Sequence, residues 1–304
     1  MDEKELRALI ERAIAELCGQ APTPAVKGSD YHPLEAQGNT RPAADLNAAL
    51  GDITQTDIRG QYLVENPKNG PAFLALKKKT PARIGLGRSG ARYKTETMLR
   101  FRADHAAAQD SVFSLVGEDF VSKNGFVPLQ TLCKDKDEYL TRPDKGRRFD
   151  EENQALIRKT LGHAPRVVLV VGDGLSSAAI EANAEDCIQA IQAGLKSYGI
   201  DTPPILFVKF CRVGASDHIG ELTGAEVVCM LVGERPGLVT AESMSAYLTY
   251  APRIGIPESR RTVISNIHRQ GTPAVEAGAH IASLILRILE HRCSGVAFRR
   301  EVEG

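Results

Sequence analysis

The stretch Arg166-Val-Val-Leu-Val-Val-Gly-Asp-Gly-Leu-Ser-Ser177 sets the architecture of the chain. Val167 to Val171 is an unbroken β-branched and aliphatic run, the pattern of a strand covered on both faces. It reads as the first strand of a parallel sheet. Gly172-Asp173-Gly174 ends the strand in a tight turn, and beyond Leu175 the residues Ala179, Ile180, Cys187, Ile188, Ile191 and Leu195 fall at helical spacing. In open α/β sheets ligands bind outside the carboxyl ends of the strands, and the free N–H groups of a helix start favour anions or polar edges. The corner at 172–176 therefore marks a binding edge. It has only two of the three glycines of the dinucleotide fingerprint, and a turn that merely redirects the chain fits the same residues.

Alternation continues downstream. Ile205 to Phe210 reads as a strand, Asp217 to Leu222 as a short helix and Glu226 to Val232 as a buried strand. Ala246 to Tyr250 and Arg261 to Ser265 are two further short strands. A last helix opens at Thr272, with that residue as N-cap and Pro273 at the first helical position, and runs to about Arg292. The expected fold class is α/β, a Rossmann-like doubly wound parallel sheet over 151–304 preceded by a smaller, mostly helical N-terminal domain at 46–150. In that domain Pro71 to Lys79 makes a short helix. Lys94 to Val116 makes a long one, with Met98, Phe101, His105, Ala108, Val112 and Leu115 near one side. Nine cations crowd Lys77 to Arg102 against the single acid Glu96. Such a run is a solvated face, or it holds a phosphate or an acidic protein surface.

Further upstream, Leu6, Leu9, Ile10, Ala13, Ile14 and Leu17 form one apolar stripe, so 1–19 reads as a short amphipathic helix. Residues 20–45, rich in Pro, Gly and polar residues, read as a flexible linker. A helix this short is marginal in water, so its stripe needs a partner surface or the chain's own globular body. Thirty-eight basic and 38 acidic residues cancel, which argues against a general nucleic-acid or membrane-surface role, and no apolar run is long enough for a membrane span. Six scattered cysteines without a C-x-x-C pair read as reduced thiols, with Cys187 and Cys229 as small hydrophobes on apolar faces.

No self-sufficient catalytic set is legible. Ser216, Asp217 and His218 are adjacent, but no G-x-S-x-G elbow exposes a nucleophile, and the seven histidines lack zinc-site pairing. The turns after successive strands instead carry Asp173, Ser176, Arg212, Glu234, Arg235, Asn266 and His268. By the crevice rule these line one sheet edge, a binding surface with no metal site and no catalytic residue assigned.

Six motifs carry a family resemblance. They are Thr-Pro-Ala-Arg-Ile-Gly-Leu-Gly-Arg-Ser-Gly-Ala-Arg (80–92), Arg-Ala-Asp-His-Ala (102–106), Tyr-Leu-Thr-Arg-Pro-Asp-Lys-Gly-Arg-Arg (139–148), Gly-Asp-Gly-Leu-Ser (172–176), Leu-Val-Gly-Glu-Arg-Pro-Gly-Leu (231–238) and Ile-Ser-Asn-Ile-His (264–268). In unbroken order from about residue 60, they resemble the small subunit of ethanolamine ammonia-lyase. The resemblance implies an adenosylcobalamin-dependent enzyme that converts ethanolamine to acetaldehyde and ammonia by radical rearrangement. It implies a large catalytic subunit, a TIM barrel, as partner in an assembly of six large and six small subunits, with cobalamin between the two kinds. Cofactor contacts fall on Val213, Glu234 and Val263, although core packing also accounts for either valine. Asp-x-His-x-x-Gly, which supplies a protein histidine to cobalt, is absent around Ser216-Asp-His-Ile-Gly220, so base-on binding is expected. The family also implies that the helix at 1–19 addresses the enzyme to a bacterial microcompartment in the cytoplasm and meets its shell proteins. A stand-alone Rossmann-like nucleotide-binding module and a structural scaffold are the rival readings.

Overall fold

The computed structural model describes residues 53–303. The expected helix at 1–19, the linker at 20–45 and Cys18 lie outside the described residues. The described chain opens with α1 (Gly70–Lys78), a two-stranded hairpin of β1 (Arg88–Ser89) and β2 (Arg92–Tyr93), and then α2 (Thr95–Phe113) and α3 (Glu118–Lys123). β3 (Val127–Gln130), α4 (Lys136–Thr141), α5 (Glu151–Leu161), β4 (Val167–Asp173), α6 (Ser177–Ser197), β5 (Leu206–Lys209) and α7 (Ala215–Thr223) follow. The chain continues through β6 (Val227–Gly233), β7 (Met244–Tyr250), β8 (Arg261–Ile267), α8 (Ala274–His291) and α9 (Val296–Glu303).

Six strands form one sheet in the order β3-β5-β4-β6-β7-β8. β3, β5, β4 and β6 run parallel, whereas β7 is antiparallel to β6 and β8 is antiparallel to β7. The sheet is therefore mixed, which corrects the expectation of a parallel sheet, while helices do cover both of its faces. The reason lies in the connections. Glu234–Ser243 and Ala251–Arg260 contain no α-helix, and a chain without a crossover returns antiparallel.

Two further expectations change. The strand at 167 is not the first of the sheet, because β3 precedes it at the edge beside β5. β3 is four residues long and contains Pro128, which an edge strand tolerates because one row of its N–H groups faces away from the ladder. The stretch expected to be mostly helical thus contributes a strand to the central sheet. Thr272 does not cap α8 either. That helix starts at Ala274 with no side-chain cap, while the Thr272 N–H donates to the Asn266 carbonyl at 2.9 Å and its own carbonyl accepts from the His268 N–H at 3.1 Å.

All seven residues of β4 and all seven of β6 are buried, as their unbroken aliphatic runs require. On one face, α6 and α8 pack over Leu169, Val171, Cys229, Leu231, Ala246 and Leu248. The two helices approach so closely that a Cβ on Gly278 would lie 2.6 Å from both the Ala190 Cβ and the Cys187 carbonyl oxygen. On the other face, α5 and α7 cover Val168, Val170, Val228 and Met230. Tyr247 pairs with Met230 and Val263 with Tyr247, so both project from this second face beyond the helices, and Val263 is 44% exposed. The open end of that face positions the site.

Cys187 and Cys229 are fully buried in the core, as expected of small hydrophobes, and Cys133, Cys211 and Cys293 are also buried free thiols. Among the described residues no helix is long and apolar enough to cross a membrane.

Candidate functional site

At the carboxyl ends of β5 and β6 an open concavity of about 500 Å³ faces outward. It sits where β4 has β5 on one side and β6 on the other, the switch point at which open α/β sheets bind ligands. Val213 comes from the loop after β5, Glu234 from the end of β6 and Val263 from the uncovered face of β8. All three line this one concavity, together with Leu175, Arg212 and Tyr247. Three residues distant in sequence are thus brought together.

Three donors fix the Glu234 carboxylate. Its Oε1 accepts from the Ser245 hydroxyl at 2.6 Å and the Asn266 N–H at 2.9 Å, and its Oε2 accepts from the Ser243 hydroxyl at 3.0 Å. Each carboxylate oxygen offers about two lone-pair sites, so Oε2 keeps one acceptor site for a further donor. The preceding Gly233 is required by packing: a Cβ there would overlap the Ser176 carbonyl oxygen at the start of α6. Any larger residue would displace the Glu234 turn.

Arg212 is held from the opposite wall. Its Nη2 donates to the Tyr139 carbonyl at 2.7 Å, and the guanidinium lies 4.3 Å from the centre of the Tyr139 ring. Its Nε is buried and has no hydrogen-bond partner. A buried unpaired donor is costly. The Tyr139 hydroxyl in turn donates to the Cys211 carbonyl at 3.3 Å, and burial pushes its phenol pKa up, so it stays neutral.

The other polar turn residues separate. Arg235 lines the concavity, but Asp173 and Ser176 are buried beneath it. Asp173 accepts from the Val116 N–H at 3.1 Å and the Ser177 hydroxyl at 2.9 Å. Burial raises its carboxyl pKa, against the pull of those donors and of nearby Lys136. Ser176 caps α6 by accepting from the Ala179 N–H at 3.1 Å and donates to the Ala241 carbonyl at 2.5 Å. Asn266 reaches Glu234 through its backbone N–H only, while His268 bonds Asn266 Oδ1 at 2.8 Å and lines a different hollow. Both Asp173 and Ser176 serve structure.

Ser216, Asp217 and His218 are turned to partners outside the trio. The Ser216 hydroxyl donates to the Val213 carbonyl at 2.7 Å, Asp217 makes a two-pronged ion pair with Arg261, and His218 Nδ1 accepts from the Phe149 N–H at 3.2 Å. Tyr139 and Tyr247 are site residues that sequence reading missed. Tyr247 carried a signal, since it alternates with Ser245 on a strand next to the Glu234 turn; Tyr139 reaches the site only through tertiary packing. Among the described residues no group of His, Cys, Asp and Glu is arranged to hold a metal ion.

A mixed sheet with helices on both faces and charged side chains at one open edge places the chain in the α/β class. The family model described as Ethanolamine ammonia-lyase light chain (EutC) matches residues 71–299. The chain belongs to this ethanolamine ammonia-lyase small-subunit family and is a subunit of an ammonia-lyase. It is 58% identical over 296 residues to the ethanolamine ammonia-lyase small subunit of Clostridioides difficile strain 630, covering 97% of this chain and 99% of that one. The small subunit of Lachnoclostridium phytofermentans is 56% identical over 299 residues, 98% of this chain and all of that one. That of Clostridium perfringens is 55% identical over 296 residues, with 97% and 99% covered.

Proposed function

We propose that this small subunit binds adenosylcobalamin, base-on, against a large catalytic subunit, and that the pair converts ethanolamine to acetaldehyde and ammonia. What carries the reading is the convergence of Val213, Glu234 and Val263 on one concavity that Arg212 also lines. The residues present fit such a cofactor. Corrin side-chain amides offer N–H donors for the free site on Glu234 Oε2 and carbonyl acceptors for the half-buried Arg212 guanidinium. The exposed face of Val263 and the half-buried Tyr247 supply apolar surface for a flat macrocycle, and Val213 adds apolar or backbone contact.

The cofactor, when bound, supplies the radical chemistry of the rearrangement. This chain supplies position. Glu234 enters the site with its carboxylate already oriented by three donors, so little ordering is lost on binding. Arg212 is held in place by the Tyr139 ring and carbonyl. His218 has its Nδ1 occupied by the Phe149 N–H and is buried on the α7 side of the sheet, which supports the base-on assignment. No acid or base of this chain is assigned to ethanolamine itself; those groups belong to the large subunit.

In this reading six small subunits join six large ones, and residues 1–19 address the assembly to a bacterial microcompartment through its shell proteins. Deleting 1–19 should abolish localisation of a fluorescent fusion to compartments; undiminished localisation would remove that role. The functional test is ammonia release from ethanolamine with adenosylcobalamin, by this chain alone, by the large subunit alone and by both. Activity in the mixture only is expected. A competent large subunit that gains nothing from this chain would defeat the proposal.

A further inference from the structure

α2 is packed inside out. The side it turns to the protein carries Thr97, Arg100, Asp104 and Ser111, all buried or half-buried. Asp104 there takes the Arg100 Nε at 2.9 Å and the Arg83 Nη2 at 2.7 Å. The opposite side carries Met98, Leu99 and Phe113, exposed by 42%, 51% and 51%, with Arg102 between them on the same side of the helix. An ordinary surface helix does the reverse, burying its apolar stripe and exposing its charges. Nine of the fifteen exposed large apolar side chains among the described residues lie between Tyr62 and Leu115. Met98, Leu99 and Phe113, sharing one side of one helix, form a patch rather than scattered exposure.

We infer that the outward side of α2 is the surface on which the large subunit docks, through an apolar patch rimmed by acidic groups. This rests on the large-subunit partnership proposed above. Charge selects the occupant. A two-fold contact between copies of this chain would use the same patch twice and gather the exposed Arg88, Arg92 and Arg102 of both copies in one interface. Like charges so placed disfavour a self-dimer, whereas an acidic rim on a different chain neutralises them. The surface is also wired to the cofactor site. The Arg83 guanidinium lies 4.7 Å from the centre of the Phe101 ring on α2, and its Nη2 donates to the Leu238 carbonyl in the loop that follows Glu234. The Arg83 Nη1 is buried without a partner. Arg83 therefore links α2 to the loop that follows Glu234.

The test uses the full chain and the purified large subunit, with association followed by light scattering and ammonia release measured separately. Leu99→Glu and Arg102→Glu should each weaken association about ten-fold or more, with melting temperature unchanged and activity restored by excess large subunit. Val275→Glu, an exposed apolar position on α8, should associate like the wild type. Amide exchange across 95–113 in the wild type should slow when the large subunit is added, which tests the surface without any variant. Wild-type association by both α2 variants, or unaltered exchange in α2, would overturn the assignment. So would a self-dimer of this chain that Leu99→Glu dissolves, or a loss of melting temperature in Leu99→Glu with new protease cleavage in 1–52, since each gives the face another occupant. Normal association without cobalamin-dependent ammonia release would instead defeat the proposed function and leave the docking surface standing.

Discussion

Replacing Asp217 by alanine should destabilise the protein and loosen the site together. Asp217 Oδ1 and Oδ2 receive Arg261 Nη1 and Nη2 at 2.8 and 2.7 Å, and the side chains are only 9% and 2% exposed. The pair ties α7, which begins two residues beyond Val213, to β8, where Val263 stands two residues beyond Arg261. Burial alone would lower the Arg261 pKa, but hydrogen bonds to Asp217 and Glu258 drive it up, so the guanidinium stays charged. Asp217→Ala leaves that buried cation with Glu258 as its remaining carboxylate, which is 66% exposed. Removing one member of a buried pair costs about 3–5 kcal/mol. At about 2–4 °C per kcal/mol for a chain of this size, the melting temperature should fall by about 6–20 °C. Urea unfolding of the variant, with an Asp217→Leu/Arg261→Met double variant beside it, separates the causes. The double variant should recover most of the loss, because an apolar pair of similar volume does not strand a charge. A single variant within about 2 °C of the wild type would refute the reasoning.

Gly233→Ala should lower the melting temperature and weaken cobalamin binding together, since the new Cβ meets the Ser176 backbone and no flexible side chain can yield; paired calorimetry and cofactor titration check this, and wild-type values for both would contradict the packing. Acid sensitivity should trace partly to His218. Burial, reinforced by nearby Arg148, lowers its pKa below the ordinary 6.5. The unfolded chain therefore takes up a proton first as pH falls, so stability is full above about 6.5 and declines below it. His218→Asn, which can keep an acceptor toward the Phe149 N–H, should flatten the fall in melting temperature between pH 7.5 and pH 5.5, and parallel pH curves would refute the assignment.

The parts of the fold legible in sequence are those governed by local period. The apolar runs of β4 and β6 and the spacing of α6 stand where they were read, because burial on both faces leaves no polar residue in a strand. Strand direction leaves no such mark in the strands themselves. Met244–Tyr250 reads the same whether parallel or antiparallel, and only the helix-free connection before it carried the information. β3 escaped because four residues with a proline barely form a pattern. The apolar side of α2 was partly visible, but its outward orientation follows from Arg83, Arg100 and Asp104 meeting beneath it, a junction of residues from two elements. For the site, Val213, Glu234 and Val263 came from a family resemblance, and their common concavity follows from the sheet order. Arg212 was visible as a polar turn residue; its buried, unpartnered Nε and its stacking on Tyr139 belong to tertiary structure.

The most direct test is the affinity of adenosylcobalamin for the assembled large and small subunits carrying wild-type Glu234 or Glu234→Gln, with assembly checked by light scattering. Glutamine keeps the size and one carbonyl acceptor for Ser243 or Ser245, but loses the charge and the second carboxylate oxygen. Charge-assisted hydrogen bonds are worth about 1.5–3 kcal/mol, so the dissociation constant should rise about 10- to 150-fold with assembly intact. Unchanged affinity in an intact assembly would contradict the claim that this concavity holds the cofactor.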